Sequence, residues 1–122
     1  MKGIVITTEK EMSVREFSED RPLHNELGEV VGGWIEHAHP RLLPPPYCMI
    51  VNEEGLLLKL PLNLIGSAMY GTATHGYPIV GNIILLKDGC RDGEPDIVGL
   101  DDGDIKKLGV FFATTFSWKL RV

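Results

Sequence analysis

The sharpest chemical feature of the sequence is the pair His37 and His39, one residue apart. On a β-strand, residues two apart face the same side, so both imidazoles can address one ion. Cys48 follows across a proline loop, and Cys90 or His75 can add a further ligand from the second half of the chain. Tetrahedral zinc takes this mixture of nitrogen and sulfur. The expectation is one zinc ion held by His37, His39, Cys48 and Cys90, in a structural role. No Cys-x-x-Cys or His-Glu-x-x-His pattern anchors such a site. The plain alternative is two polar strand histidines beside a core thiol.

Acidic side chains are the second feature. Residues 88–104 hold Asp88, Asp92, Glu94, Asp96, Asp101, Asp102 and Asp104 against Arg91 alone. A calcium loop of the EF-hand type starting at Asp88 fails. It places Cys90 at the third position and Gly99 where a bidentate Glu is required. A solvated loop leading into a helix cap is one reading of these acids. The other is a surface that docks on a basic protein by mimicking nucleic-acid charge, with Asp96, Asp101, Asp102 and Asp104 in contact.

Catalysis has less support. Ser13, Ser18, Ser67 and Ser117 lack a Gly-x-Ser-x-Gly elbow, and glycine-rich phosphate loops are absent. Glu53-Glu54, flanked by Asn52 and Gly55, reads as a polar turn rather than a carboxylate pair. The expectation is a binding protein rather than an enzyme.

The elements that must position these residues are mostly strands. Residues 4–8 and 12–17 alternate as a first pair, and 34–39 alternate with His37 and His39 on one face and Glu36 on the other. Asp20-Arg21-Pro22 predicts a helix start, and Gly32-Gly33 its end. Pro44-Pro45-Pro46 predicts a stiff extended loop. Residues 47–51 and 56–58 read as a hairpin about Asn52-Glu53-Glu54-Gly55. Asn63 caps a short helix to Met69, and 77–86 form a long strand bent at Gly81-Asn82. Residues 88–96 read as a surface loop and 97–100 as a short strand. Asp101 to Asp104 open a final helix to about Phe112, and 117–122 add an edge strand or trail. The sum is one α+β domain over residues 1–122, a mostly antiparallel sheet with two or three short helices.

Composition agrees with that size. At 122 residues, 43% hydrophobic and 24% charged, the chain is neither disordered, collagen-like nor a membrane protein. A net charge of -5 argues against direct nucleic-acid binding, which draws on Lys and Arg. No signal-peptide pattern opens the chain and no apolar run reaches membrane-spanning length, so a cytoplasmic protein is expected. In that compartment Cys48 and Cys90 are read as thiols or metal ligands rather than a disulfide.

Five stretches in series carry a family resemblance: Gly32-Gly33-Trp34-Ile35-Glu36, Ile50 to Leu56 with Asn52-Glu53-Glu54-Gly55, Leu60-Pro61-Leu62-Asn63, Pro78 to Asn82, and Ile97 to Asp102. Over about residues 30–105 the sequence resembles the DUF3846 family of small proteins carried by phages, plasmids and other mobile elements. The family has no assigned activity, so the resemblance implies a setting rather than a site. His37-x-His39 and the triple proline depart from the family pattern. In that setting a small acidic domain is expected to be a counter-defence protein that binds a host protein stoichiometrically in the host cytoplasm. The leading form is an anti-CRISPR inhibitor that blocks DNA loading by a Cas9-like nuclease. Two alternatives are a sponge for a signalling nucleotide using Arg41, Arg91 or Trp34, and a small metal-dependent hydrolase using His37, His39 and Glu36.

Overall fold

Two sequence stretches are apolar without alternation, residues 47–51 and 83–86, and both prove to be strands covered on two faces. The computed structural model describes residues 1–19 and 24–122, without the side chains of His24 and His75. The strands are β1 (Lys2–Ile6), β2 (Met12–Glu16), β3 (Ile35–Ala38), β4 (Tyr47–Asn52), β5 (Ile83–Arg91), β6 (Glu94–Val98) and β7 (Leu120–Arg121). The helices are α1 (His24–Val31), α2 (Leu64–Tyr70), the single turn α3 (Thr72–His75) and α4 (Asp102–Phe116). The protein is thus α+β, with one more helix than expected and the third of the expected helices running on to Phe116. The predicted helix start at Asp20-Arg21-Pro22 lies outside the described residues.

The sheet order is β3-β4-β5-β1-β2-β7, antiparallel throughout except for the parallel β2–β7 edge. β5 is the organising strand. It pairs with β4 along one edge, and with β1 and then β6 along the other. On one face Ile4, Ile6, Met49, Val51, Ile83 and Leu85 pack against Ile65 and Met69 of α2 and Leu108 and Phe112 of α4. On the other, Val5, Cys48, Ile50, Ile84 and Leu86 pack against Leu27 and Val31 of α1. Alternate residues of one strand therefore feed two cores, which is why both strands are apolar throughout. Among the described residues no helix is long and apolar enough to cross a membrane.

Three local expectations are corrected. Residues 56–58 do not return as a strand. Leu58 N–H donates to Glu54 O and Lys59 N–H to Leu56 O, and Lys59 takes a positive φ of 56°. The cause is topological: β3 and β5 already occupy both edges of β4. Residues 88–96 are no loop but the β5–β6 hairpin, closed by Asp92 (φ 53°) and Gly93 (φ 80°). An Asp-Gly pair with two positive φ values matches the twist of the strands it joins. The long strand from Tyr77 also begins later, at Ile83, because Gly81 at φ 79° breaks it.

Candidate functional site

β3 and β5 flank β4, so side chains on the α1 face of both can meet over it. His37 lies opposite Ile50 of β4, and His39 follows just past the strand end on the same side. Asp88 extends from β5, its backbone N–H donating to Pro46 O at 2.7 Å. His37 Nε2 lies 2.6 Å from Asp88 Oδ1, and His39 Nε2 lies 3.0 Å from Asp88 Oδ2. An ionised carboxylate only accepts, so both rings present Nε2–H to it in this state. The rings meet edge to face, with centroids 4.6 Å apart and planes at 77°. Partial burial pushes the Asp88 carboxyl up, but the hydrogen bonds from His37 and His39 outweigh it and leave it below the usual range. The expected convergence of the two histidines is present. Its third member is a carboxylate from 49 residues further along, not a sulfur.

Neither cysteine joins them. Among the described residues, the group whose ligand atoms lie within 4.8 Å of one another is His37, His39 and Asp88. Cys48 is fully buried in the α1-side core. Burial, with the charge and hydrogen bonding of Asp88, pushes its thiol up to about 12, so it stays protonated. Its sulfur is not among the converging ligand atoms. Cys90 is exposed, beyond Asp88 on β5. The side chain of His75 lies outside the described set. A thiol reagent is accordingly expected to modify one cysteine in the native protein, Cys90, and two after unfolding. Mass spectrometry of the labelled protein in both states checks this. Fast native labelling of Cys48 would show that its surroundings are not closed.

The acids proposed for docking are engaged within the fold. Asp101 caps α4 by accepting from Asp104 N–H at 2.7 Å, and Asp104 returns the bond to Asp101 N–H at 2.9 Å. Asp104 also accepts from Tyr47 OH at 2.9 Å and pairs with Lys87 at 2.7 Å. Asp102 pairs with Lys2, and Asp96 with Arg91. Much of the charge counted from the sequence is therefore neutralised internally. Asp101 and Asp104 are the capping box of α4.

Unpaired acids lie elsewhere. Glu36, on the face of β3 opposite His37, opens into a cleft of about 430 Å³ together with Glu53, Glu54, Leu56, Leu57, Tyr70 and Tyr77. No cation pairs with Glu36, Glu53 or Glu54 among the described residues. Large apolar side chains stand open in its wall, with Leu57 79% and Tyr77 68% exposed. A side-chain amide and a closely packed glycine hold it in shape. Asn52, buried, donates to Val31 O at 3.0 Å and accepts from Glu54 N–H at 2.8 Å. Gly55 packs so closely that an added Cβ would lie 2.7 Å from a Val80 methyl. Asn52 to Gly55 were legible as a turn. Their role as a cleft wall was not, because its other wall comes from residues 77–80.

The candidate nucleotide-binding groups are dispersed. Arg91 is held by Asp96 and Glu19, Arg41 packs beside Gly71, and Trp34 borders a shallow pocket at Gly32-Gly33. The hydrolase arrangement is also not assembled, since Glu36 and the two histidines lie on opposite faces of β3.

The fold and these sites define a small α+β protein with a two-faced antiparallel sheet, an acidic apolar cleft on one side and a histidine–aspartate cluster on the other. The chain belongs to the family described as Domain of unknown function (DUF3846), whose model matches residues 1–113. No curated protein and no solved structure matches it.

Proposed function

We propose that the protein acts by stoichiometric binding to a basic protein surface, with the cleft around Leu57 as its contact. The observation that carries this reading is the combination in one concavity of three carboxylates, which pair with no cation among the described residues, and exposed Leu56, Leu57 and Tyr77. Apolar anchors in a pocket supply binding energy, and uncompensated charge selects a partner of opposite sign. The acidic partner-binding role assigned from the sequence to 96–104 moves to Glu36, Glu53 and Glu54. In the mobile-element setting that the family resemblance implies, the partner is a host defence protein that handles nucleic acid. The form to test first is an anti-CRISPR inhibitor that keeps DNA from loading on a Cas9-like nuclease in the host cytoplasm.

The test is a DNA-loading assay on guide-loaded nucleases of several types, with the purified protein titrated in. Loading is expected to be lost on one of them at about one chain per nuclease. A Leu57→Asp, Glu53→Lys variant is expected to be at least about thirtyfold weaker, the equivalent of losing one strong interface anchor. Asp102→Lys, which touches only the exposed pair with Lys2, is expected to inhibit like the parent. Full DNA loading on every nuclease at large excess would overturn the reading. Undiminished inhibition by the cleft variant would move the contact off the cleft.

A further inference from the structure

We propose that His37, His39 and Asp88 form a binding site for one divalent transition-metal ion of the zinc and cobalt class, held by the two Nε2 atoms and a carboxylate oxygen. The site lies on the opposite face of β3 from the cleft and does not depend on the protein-binding reading. Its ligand set differs from the one suggested by the sequence: a carboxylate replaces both cysteines.

The geometry carries the inference in three ways. All three ligand atoms already lie within 4.8 Å of one another. With metal–ligand bonds of about 2.0–2.2 Å, neighbouring ligands of a tetrahedral ion stand about 3.3 Å apart. The contacts of 2.6 and 3.0 Å need open by less than about 1 Å for one ion to replace the two shared protons. The frame is also built in advance. The register of β3 on β4 sets His37, the bond to Pro46 O sets the backbone of Asp88, and the crossed rings aim their nitrogens at one carboxylate without stacking. Finally, the three side chains are partly exposed, so an ion has a route in and its outward positions remain for water or a ligand from another molecule.

The donor set selects the ion. Two imidazoles disfavour calcium and magnesium, which take oxygen throughout, and suit zinc, cobalt, nickel or copper. Cys48 lies inside the sheet core, and its sulfur is not among the ligand atoms that converge with those of His37, His39 and Asp88.

The experiment uses the chelator-stripped full chain and zinc chloride, with calorimetry for affinity and native mass spectrometry for stoichiometry. One ion per chain is expected. His37→Ala and Asp88→Asn should each weaken binding by at least about tenfold, the loss seen on removing even an outer partner of a ligand. Cys90→Ser should bind like the parent. Cobalt(II) substitution of the parent protein is read in parallel and needs no variant to fold: a spectrum of nitrogen and oxygen ligands alone is expected. A sulfur-to-cobalt charge-transfer band would overturn the ligand set. Absence of saturable zinc binding, or binding unchanged in both variants, would overturn the site and leave the cluster as a hydrogen-bond network.

Discussion

Replacing Asn63 with alanine is expected to cost about 3–5 kcal/mol of folding stability, read as a lower urea midpoint with an unchanged slope. Asn63 is fully buried, and its side chain makes three bonds at once. The amide donates to Ile6 O and to Gly81 O, each at 2.9 Å, and its oxygen accepts from Gly66 N–H at 2.9 Å as the cap of α2. One side chain thus joins the end of β1, the Gly81 bend and the first turn of a helix. Alanine removes a cap worth about 1 kcal/mol and leaves buried carbonyls without a donor at about 1–3 kcal/mol each. Asn63→Asp sharpens the test. It keeps the cap acceptor but loses both donors and buries a charge, so it should be at least as damaging at neutral pH and recover partly when acid protonates it. Asn52→Ala, with one donated and one accepted bond, should cost about 2 kcal/mol. An Asn63→Ala variant within about 1 kcal/mol of the parent would show that water replaces the amide and that the segment is not tied in this way.

Some of this was readable before any fold was known. Asn63 before a short apolar run looked like a cap, and Leu60-Pro61-Leu62-Asn63 is one of the stretches that carry the resemblance; its two carbonyl partners, 57 and 18 residues away, did not show. The same distinction recurs at the histidines. Strand periodicity is local, so the shared side of His37 and His39 was legible. Asp88 comes from a strand two places away in the sheet, and only the order β3-β4-β5 brings it to them. Leu56 to Leu58 were misread for a related reason: an apolar stretch after a turn looks like a returning strand, but nothing in it reports that both edges of β4 are taken. The β5–β6 hairpin is different. Asp92-Gly93 is a strong local turn signal, and it was outweighed by the density of acid and glycine around it. Charge misled most, because a count of acids says nothing about which cations the fold sets beside them.

At Asp104 the fold sets a cation, Lys87, directly beside the acid. Asp104→Lys is expected to lower stability by about 3 kcal/mol, near the lower end of the cost of breaking a mostly buried pair. The carboxylate is only 12% exposed and Lys87 19%. It receives three donors: Lys87 Nζ, Tyr47 OH and Asp101 N–H. Lysine would set two cations together, take the acceptor from Tyr47 and break the capping box. The pH profile separates this role from mere loss of helix propensity. Burial pushes the Asp104 carboxyl up, but the bonds from Lys87, Asp101 and Tyr47 and the Lys87 charge hold it at about 2, against an ordinary 3.8. A folded value below the unfolded one means a contribution fully present above the unfolded value, near pH 4, and lost as the pH falls through about 2. With partial screening of the pair it amounts to about 1–2 kcal/mol. Tyr47 is the mirror case: burial, then Asp104, raise it to about 12, so its share is present below about pH 10 and lost as the pH rises through 12. Asp104→Asn should show an acid loss smaller than the parent's by about 1–2 kcal/mol, measured by urea midpoints at about pH 7 and about pH 2.5. Parallel acid profiles for the two proteins would show that Asp104 is not held by Lys87 and Tyr47. Reversing charge at Asp101 and Asp104 therefore acts on the fold before it acts on any partner. Inhibition lost in such variants counts as a contact only if their urea midpoints match the parent's, which this network makes the unexpected result.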